Sequence, residues 1–328
     1  MVLELEARKW LCLACGRHFR QRFPGIQPWQ RASEAFQRQI FRLHLDGINR
    51  SLLGRREGIG AATVQRYFQA GLVRQFGQWR PPRCPPVLGI DEHFFTRRKG
   101  FATTLCDLRR HKVYDVVLGR SEAALAAYFE RLEGKDKVKL VRMDLSCSYR
   151  ALARKHFPNA RIVADRSHVI RLINHHLLAL WRELDPLGSK NRDLVSLMRR
   201  RRHNLKPEQL ARLMNYLAGL PALEPIYRFK QRLCRLLLKK HRSRQQCQPL
   251  AVRFLKAVHQ LRDSGLAQPA ALGETLYNWR NEIGLMRRFT RDNSNTEGFQ
   301  ANMELINRQA YGFRNFSGYR MRVKVLCA

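Results

Sequence analysis

The sequence is short of acidic residues and has no long apolar run. Its 328 residues contain 26 Asp and Glu against 62 Lys and Arg, which gives a net charge of +36. Such an excess repels itself unless a polyanion shares the surface, and nucleic acid is the commonest such partner. No stretch approaches the ~18–20 apolar residues of a membrane-spanning helix, and the opening MVLELEARKW lacks the apolar core of a signal peptide. We therefore expect a cytoplasmic, nucleoid-associated protein that binds nucleic acid and no membrane.

Close cysteine pairs are almost absent too. The eight cysteines are scattered, and only Cys12 and Cys15, within a short basic lead over 1–30, stand close together. A tetrahedral zinc site takes four ligands, in ribbon-type sites from two such pairs. His18 could add a third ligand, but nothing obvious supplies a fourth. Reduced thiols are therefore the favoured interpretation, and zinc at Cys12 and Cys15 is the alternative.

Residues 31–76 have the pattern of three short helices. A helical apolar stripe ends at Gly47, a second short helix ends at the Gly-Ile-Gly turn of residues 58–60, and a third begins at Ala61. Helix, tight turn, helix is the arrangement that lays a second helix in the DNA major groove. A plain three-helix bundle is the alternative. If the motif binds DNA, the outward side chains of the third helix are the contacts: Thr63, Gln65, Arg66 and Gln69.

A proline-rich linker over 77–86 separates this segment from a region with a different periodicity. Three strands joined by tight turns are predicted at 87–95, 101–108 and 112–118. Helices at 121–132, 149–156 and 169–184 are predicted to alternate with strands at 138–145 and 161–164. The order β-β-β-α-β-α-β-α predicts three antiparallel strands followed by parallel crossovers. That is a ribonuclease-H-like α/β topology, shared by few other folds.

Residues 186–290 are predicted to be almost entirely helical and strongly basic. The run Arg199, Arg200, Arg201 and Arg202 is the densest cluster of charge. Basic faces of amphipathic helices are commonly just solvated, but on this charge background we favour contact with nucleic acid. The last segment, 291–328, contains a predicted helix over 294–310 and a basic, aromatic tail.

Three acids stand out in a chain with so few. Asp91 lies in the first strand of the predicted sheet and Asp144 ends the fourth. These strands should be neighbours, so the two carboxylates should meet at one edge, where a hard cation such as Mg²⁺ would relieve their repulsion. A third acid, Glu297, begins a helix, although the Ser294-x-x-Glu297 spacing also fits a capping box. Glu92 should point to the opposite face from Asp91, so we do not expect it to be a ligand.

The segments GIDE, MDLSCSYR, ADRSHV and SNTEGFQANMELINRQAYGFRNFSGYRMR together resemble the ISL-three family of bacterial insertion-sequence transposases. The resemblance runs from about residue 10 to the end. It implies a zinc-binding module, a helix-turn-helix domain, and a ribonuclease-H-like DDE core at 87–185 and 291–328 interrupted by the helical insertion 186–290. An upstream cysteine pair usual in the family is absent, so we expect a shortened chain without a complete zinc module.

The same resemblance implies the chemistry. Asp91, Asp144 and Glu297 match the DDE triad, which holds two Mg²⁺ or Mn²⁺ ions for hydrolysis at the element ends and strand transfer to target DNA. Asp165 and His168 match a recurring segment for which we expect no direct catalytic role. The implied partners are double-stranded DNA, at inverted repeats and target, and further copies of the chain.

Two other classes of function stay open on the sequence. One is a catalytically inactive DNA-binding regulator or degenerate transposase. The other is a structure-specific nuclease of the same fold, which acts on junctions or RNA–DNA hybrids. A ribosome-associated basic protein is a distant third, because it does not explain two acids placed on neighbouring strands.

Overall fold

Contacts within the computed structural model divide the chain into two units. One comprises Met1–Pro81 with Asn302–Ala328, and the other comprises Pro82–Ala301. The residues described are 3–77, 83–239, 243–289, 302–306, 308 and 315–327. The strands are β1 Lys9–Leu11, β2 His18–Arg20, β3 Val87–Thr96, β4 Gly100–Asp107, β5 Lys112–Leu118, β6 Leu140–Met143 and β7 Arg161–Ala164. The main helices are α1 Glu34–Leu45, α2 Arg50–Glu57, α3 Ala61–Gly77, α4 Glu122–Glu130, α5 Cys147–His156, α6 Arg166–Leu184, α7 Arg192–Arg199, α8 Pro207–Ala218, α9 Leu223–Leu237, α10 Arg244–Arg262, α11 Ala267–Asn278, α12 Arg280–Leu285 and α13 Phe316–Cys327.

The three helices expected in the N-terminal segment are confirmed as α1, α2 and α3. Ser33 and Asn49 cap the first two, since each side chain accepts a hydrogen bond from a backbone N–H in the first turn. Gly58 ends α2 in the left-handed conformation, at φ 67°. The turn after it packs closely on α2, because a Cβ at Gly54 would lie 2.6 Å from the carbonyl oxygen of Ile59. The spacing of the turn therefore depends on a glycine at position 54.

Helix α13 is part of the same unit as α1 to α3, whereas the sequence prediction grouped 291–328 with the catalytic core. Met321 and Val325 pack against a cluster that includes Phe41 and Phe68. Arg322 is buried and donates from Nη2 to the carbonyl oxygen of His44, at 2.9 Å, near the end of α1. These apolar contacts and the Arg322 hydrogen bond explain why α13 joins the N-terminal helices. The predicted helix over 294–310 falls mostly outside the described residues.

The five-stranded sheet of the second unit has the order β5-β4-β3-β6-β7. Strands β3, β4 and β5 are antiparallel neighbours, and β6 and β7 add in parallel beside β3. The predicted order of strands and helices is confirmed, as is the adjacency of the first and fourth strands. The fourth strand is shorter than the predicted 138–145.

Helices cover both faces of this sheet. On one face α4 and α5 contribute Phe129 and Leu152 to a core with Leu88 and Ile90. On the other, α6 and the later helices build a second core that includes Ile173, Phe254 and Trp279. Alternation along β6 sends Val141 to the first core and Leu140 to the second. Strands buried on both faces explain why this region is nearly continuous in apolar residues.

The described part of the segment 186–290 is mostly helical, as predicted, from α7 to α12. A third core joins α6 to α7, α8 and α9 through residues such as Trp181, Leu213 and Tyr227. Of the predicted linker, Cys84 and Pro85 are buried, and the Cys84 N–H donates to the carbonyl oxygen of Glu133 at 2.9 Å. Among the helices of the described residues, none is long and apolar enough to cross a membrane.

Candidate functional site

Asp91 and Asp144 come directly after the paired stretch of the neighbouring parallel strands β3 and β6, although β3 itself continues to Thr96. The last paired positions of β3 and β6 are Ile90 and Met143, so the two aspartates follow at equivalent places. Met143 also pairs with Ala164 at the end of β7, which puts Asp165 at the next equivalent position. Asp144 and Asp165 thus follow the ends of β6 and β7, and Asp91 lies at the matching position within β3, where its pairing with β6 stops. Crossover connections make this edge of a parallel sheet the usual place for functional side chains.

Asp91 is held in a setting that opposes its ionisation. Its side chain accepts a hydrogen bond from the backbone N–H of Glu92 at 2.8 Å, and the residue is 8% exposed. Burial is the largest cause that raises the pKa of Asp91, to about 7, and the charges of Asp165 and Asp144 add to it. Arg171 acts in the opposite direction. In this environment the carboxylate lacks enough positive charge for a normal acidity.

Asp144 is also in a setting that raises its pKa, and one of its carboxylate oxygens is buried without a hydrogen-bond donor among the described residues. Burial raises its pKa to about 6, with Glu92 the second cause. Its Oδ1 is buried and accepts no hydrogen bond from the described residues. A buried carboxylate oxygen without a donor is costly, and a bound divalent cation would satisfy it. The donor set at this edge, carboxylate oxygens short of positive charge, therefore fits a hard metal ion.

Asp165 is engaged in structural contacts. Its Oδ2 pairs with Nη2 of Arg142 at 3.2 Å, and both side chains are largely buried. Its Oδ1 accepts from the backbone N–H and the hydroxyl of Ser167, each at 2.8 Å, and so caps α6. Its neighbour His168 has a pKa lowered mainly by burial. These contacts give Asp165 a role in holding β6, β7 and the start of α6 together.

Glu92 lies beside Asp91 but, by strand alternation, on the other face of β3. It pairs with Nη1 of Arg120 at 3.3 Å. The charge of Glu92 raises the pKa of Asp144, an effect that the sequence did not predict. Glu297 lies outside the described residues. Within the described ranges, no group of three His, Cys, Asp or Glu side chains is arranged to hold a metal.

Cys12 and Cys15 share the tight turn that joins β1 to β2. Gly16 adopts φ 66° there, and its N–H donates to the carbonyl oxygen of Cys12 at 2.8 Å. Hydrogen bonds from Cys15, and a weaker one from Ala14, lower the pKa of Cys12. The turn therefore favours the thiolate of Cys12, while the described residues form no group of three metal-ligating side chains around it.

The residues expected to contact DNA are accessible to different extents. On α3, Arg66 and Gln69 are exposed, whereas Thr63 and Gln65 are half-buried. Arg66 donates to the Thr63 hydroxyl at 3.1 Å. In the helical segment, the four side chains of 199–202 are all exposed.

Comparison with known proteins agrees with this architecture. A family model described as transposase, of the DDE type named ISL3, matches residues 88–323. The chain therefore belongs to this transposase family, as the sequence motifs indicated. It is also similar to the transposase for insertion sequence element IS1001 of Bordetella parapertussis, with 24% identity over 339 residues. That match covers 99% of this chain and 80% of the relative.

Proposed function

We propose that this protein is a DDE transposase of an insertion sequence, which binds the element ends and catalyses metal-dependent DNA cleavage and strand transfer. The observation that carries the proposal is the pair Asp91 and Asp144. The two carboxylates directly follow the last paired positions of adjacent parallel strands, and one has a buried oxygen without a hydrogen-bond donor among the described residues. In a transposase-family chain, this is the arrangement expected of the first two members of a catalytic triad.

The core that holds these residues is proposed to be ribonuclease-H-like. Support comes from the strand order β5-β4-β3-β6-β7, with three antiparallel strands and two parallel additions. Helices α4 to α6 follow the strands in the order that this topology requires. The segment from α7 to α12 would then be an insertion before the third acid.

Asp91, Asp144 and Glu297 are proposed to hold Mg²⁺ or Mn²⁺. Divalent ions at such a site activate the attacking oxygen and stabilise the leaving oxygen of an in-line displacement at phosphorus. The protein's own part is to hold the two carboxylates on neighbouring strands in a largely buried setting, and a bound cation would favour their ionised form. Two features hold this part of the sheet in place: Asp91 is buried, and Asp165 caps the start of α6.

DNA recognition is proposed to use both units. The outward residues of α3 would read the element end in the major groove: Thr63, Gln65, Arg66 and Gln69. The arginines at 199–202 would neutralise phosphates. Support for the first comes from the α2–turn–α3 geometry and its close turn at Gly54. Bringing two element ends together implies self-association of the protein on DNA. A zinc ion at Cys12 and Cys15 would need further ligands from outside the turn between β1 and β2.

The test is Mg²⁺-dependent cleavage of duplex DNA that carries the element's own end. We expect nicking at the end by the wild type, and at least 10³-fold less by Asp144→Asn with DNA binding retained. Asp193→Asn, which removes an exposed acid paired with Arg212, is the matched control and should cleave normally. Binding without cleavage by the wild type would instead indicate an inactive regulator. Metal-dependent cleavage of junctions or RNA–DNA hybrids in preference to the end would indicate a structure-specific nuclease.

A further inference from the structure

The turn after α7 carries positive charge that no acidic side chain of the described residues neutralises. Arg199, Arg200, Arg201 and Arg202 are consecutive and exposed. Some other exposed arginines of the same helical segment are paired, namely Arg212 with Asp193 and Arg228 with Glu224. The four arginines at 199–202 form no such ion pair with any described residue. This turn is therefore available to an anion.

The backbone of the turn is fixed from beneath by two side chains of α9. The Nζ of Lys230 donates to the carbonyl oxygens of Met198, Arg199 and Arg200, at 2.8, 2.9 and 3.3 Å. Gln231 adds two bonds, from its Nε2 to the Arg200 carbonyl at 3.0 Å and from the Arg202 N–H to its Oε1 at 3.2 Å. Five hydrogen bonds thus hold the backbone of four residues between Met198 and Arg202.

Burying the ammonium group of Lys230 at the end of α7 costs free energy. The residue is 3% exposed, and burial lowers its pKa to about 8. A buried ammonium is tolerated only where acceptors surround it, and the last carbonyls of α7 supply both acceptors and a partial negative charge. An ordinary surface turn does not need such an anchor. The cost is understandable if the turn must be rigid before it meets a ligand.

A cavity of about 370 Å³ opens beside this turn. Its lining includes Arg201, Arg202, His203 and Arg235 together with Leu205 and Leu238, and no acidic side chain of the described residues lines it. Guanidinium groups match the oxygens of a phosphate in charge and in planar geometry. A cationic cavity without a carboxylate selects an anion, and the anion class that an insertion-sequence transposase meets is the DNA backbone.

We propose that this cavity holds a backbone phosphate of the element-end DNA, with Arg201, Arg202 and Arg235 as its ligands and Lys230 as the positioning residue of the turn. The inference rests on the proposed function. It adds a defined site within the helical segment and a ligand from α9, Arg235, that the sequence did not single out. It also separates residues that contact the phosphate from Lys230, which positions the turn.

The experiment measures the affinity for an end-containing duplex by fluorescence anisotropy at several salt concentrations. Each phosphate neutralised contributes about 0.9 to the slope of log K against log salt. We expect the double variant Arg201→Gln/Arg235→Gln to make that negative slope shallower by about 0.9. The affinity at 100 mM salt should fall about tenfold. Arg212→Gln/Arg228→Gln removes the same charge from paired arginines of the same segment and should change affinity about twofold at most.

Lys230→Met separates positioning from contact. It leaves every arginine in place, so the slope should stay at the wild-type value while affinity falls roughly threefold to tenfold through lost preorganisation. Equal losses in the two double variants, or a wild-type slope and affinity in Arg201→Gln/Arg235→Gln, would overturn the phosphate site and leave the transposase function standing. A wild-type protein that shows no salt-dependent binding to the end would refute the proposed function itself. Thermal unfolding confirms that each exposed-arginine variant is folded.

Discussion

Replacing Asp91 by Asn should stabilise the metal-free protein at neutral and alkaline pH. The substitution keeps the shape and the oxygen that accepts the Glu92 N–H, but it removes a charge that the buried site opposes. The pKa of Asp91 is raised from 3.8 to about 7. At 1.36 kcal/mol per pKa unit, ionising this group in the folded state costs about 4 kcal/mol more than in the unfolded chain.

The sign and the pH window follow from proton linkage. Between pH 3.8 and about 7 the folded state binds the proton that the unfolded state has lost, so wild-type stability falls as pH rises through this window. The Asn variant has no such group. The variant's gain in the free energy of unfolding over the wild type should be near zero below about pH 4, increase up to about pH 7 and stay constant above it. At roughly 2–4 °C per kcal/mol for a unit of this size, the difference in Tm should approach about 10 °C at pH 8.

The assay is thermal unfolding in EDTA from pH 4 to pH 8.5, followed by circular dichroism. Asp193→Asn, an exposed position, is the control and should track the wild type throughout. Mg²⁺ should then raise the Tm of the wild type and leave Asp91→Asn nearly unchanged, because the variant lacks a ligand charge. An advantage of the same size at pH 4 and pH 8, or none at pH 8, would show that ionisation at Asp91 is not the cause.

Two further predictions concern the N-terminal unit. Gly54→Ala should destabilise that unit by about 1–3 kcal/mol, since its new Cβ meets the carbonyl oxygen of Ile59, and denaturant unfolding should show this loss. In the control Gly60→Ala the new Cβ would meet only the Thr63 hydroxyl oxygen, at 4.0 Å, so the cost should be about 1 kcal/mol or less. Arg322→Met should lower stability by about 1–3 kcal/mol, because the carbonyl oxygen of His44 loses a buried donor. An Arg322→Met protein with unchanged unfolding would show that α13 does not depend on this contact.

Local sequence patterns predicted the secondary structure well wherever the cause is local. The strand at 112–118 and the strand at 161–164 have the predicted limits, because β-branched runs bounded by turns need no distant partner to be recognised. Helix α6 begins at Arg166 rather than at the predicted residue 169, because Asp165 caps it. Its apolar periodicity starts a turn later than its hydrogen bonding, so the pattern alone placed the start too late.

The adjacency of Asp91 and Asp144 was also within reach of the sequence, because the rules for parallel crossovers leave few sheet orders. Their chemical state was not. Burial and the nearby charges of Asp165 and Glu92 raise their pKa values, and these come from side chains brought together by folding. The same is true of Lys230, which in sequence is one basic residue among many on a helix.

The sequence by itself therefore determined the elements, their order, the basic character of the chain and its transposase family. Those properties follow from periodicity, turn residues, composition and motifs, each of which is written in short segments. Only the tertiary structure decided that α13 packs on the N-terminal helices and that Arg142 pairs with Asp165. It also decided that Lys230 anchors an arginine turn some 30 residues before it. These contacts join residues far apart in the chain, and their energies depend on burial, which no local pattern encodes.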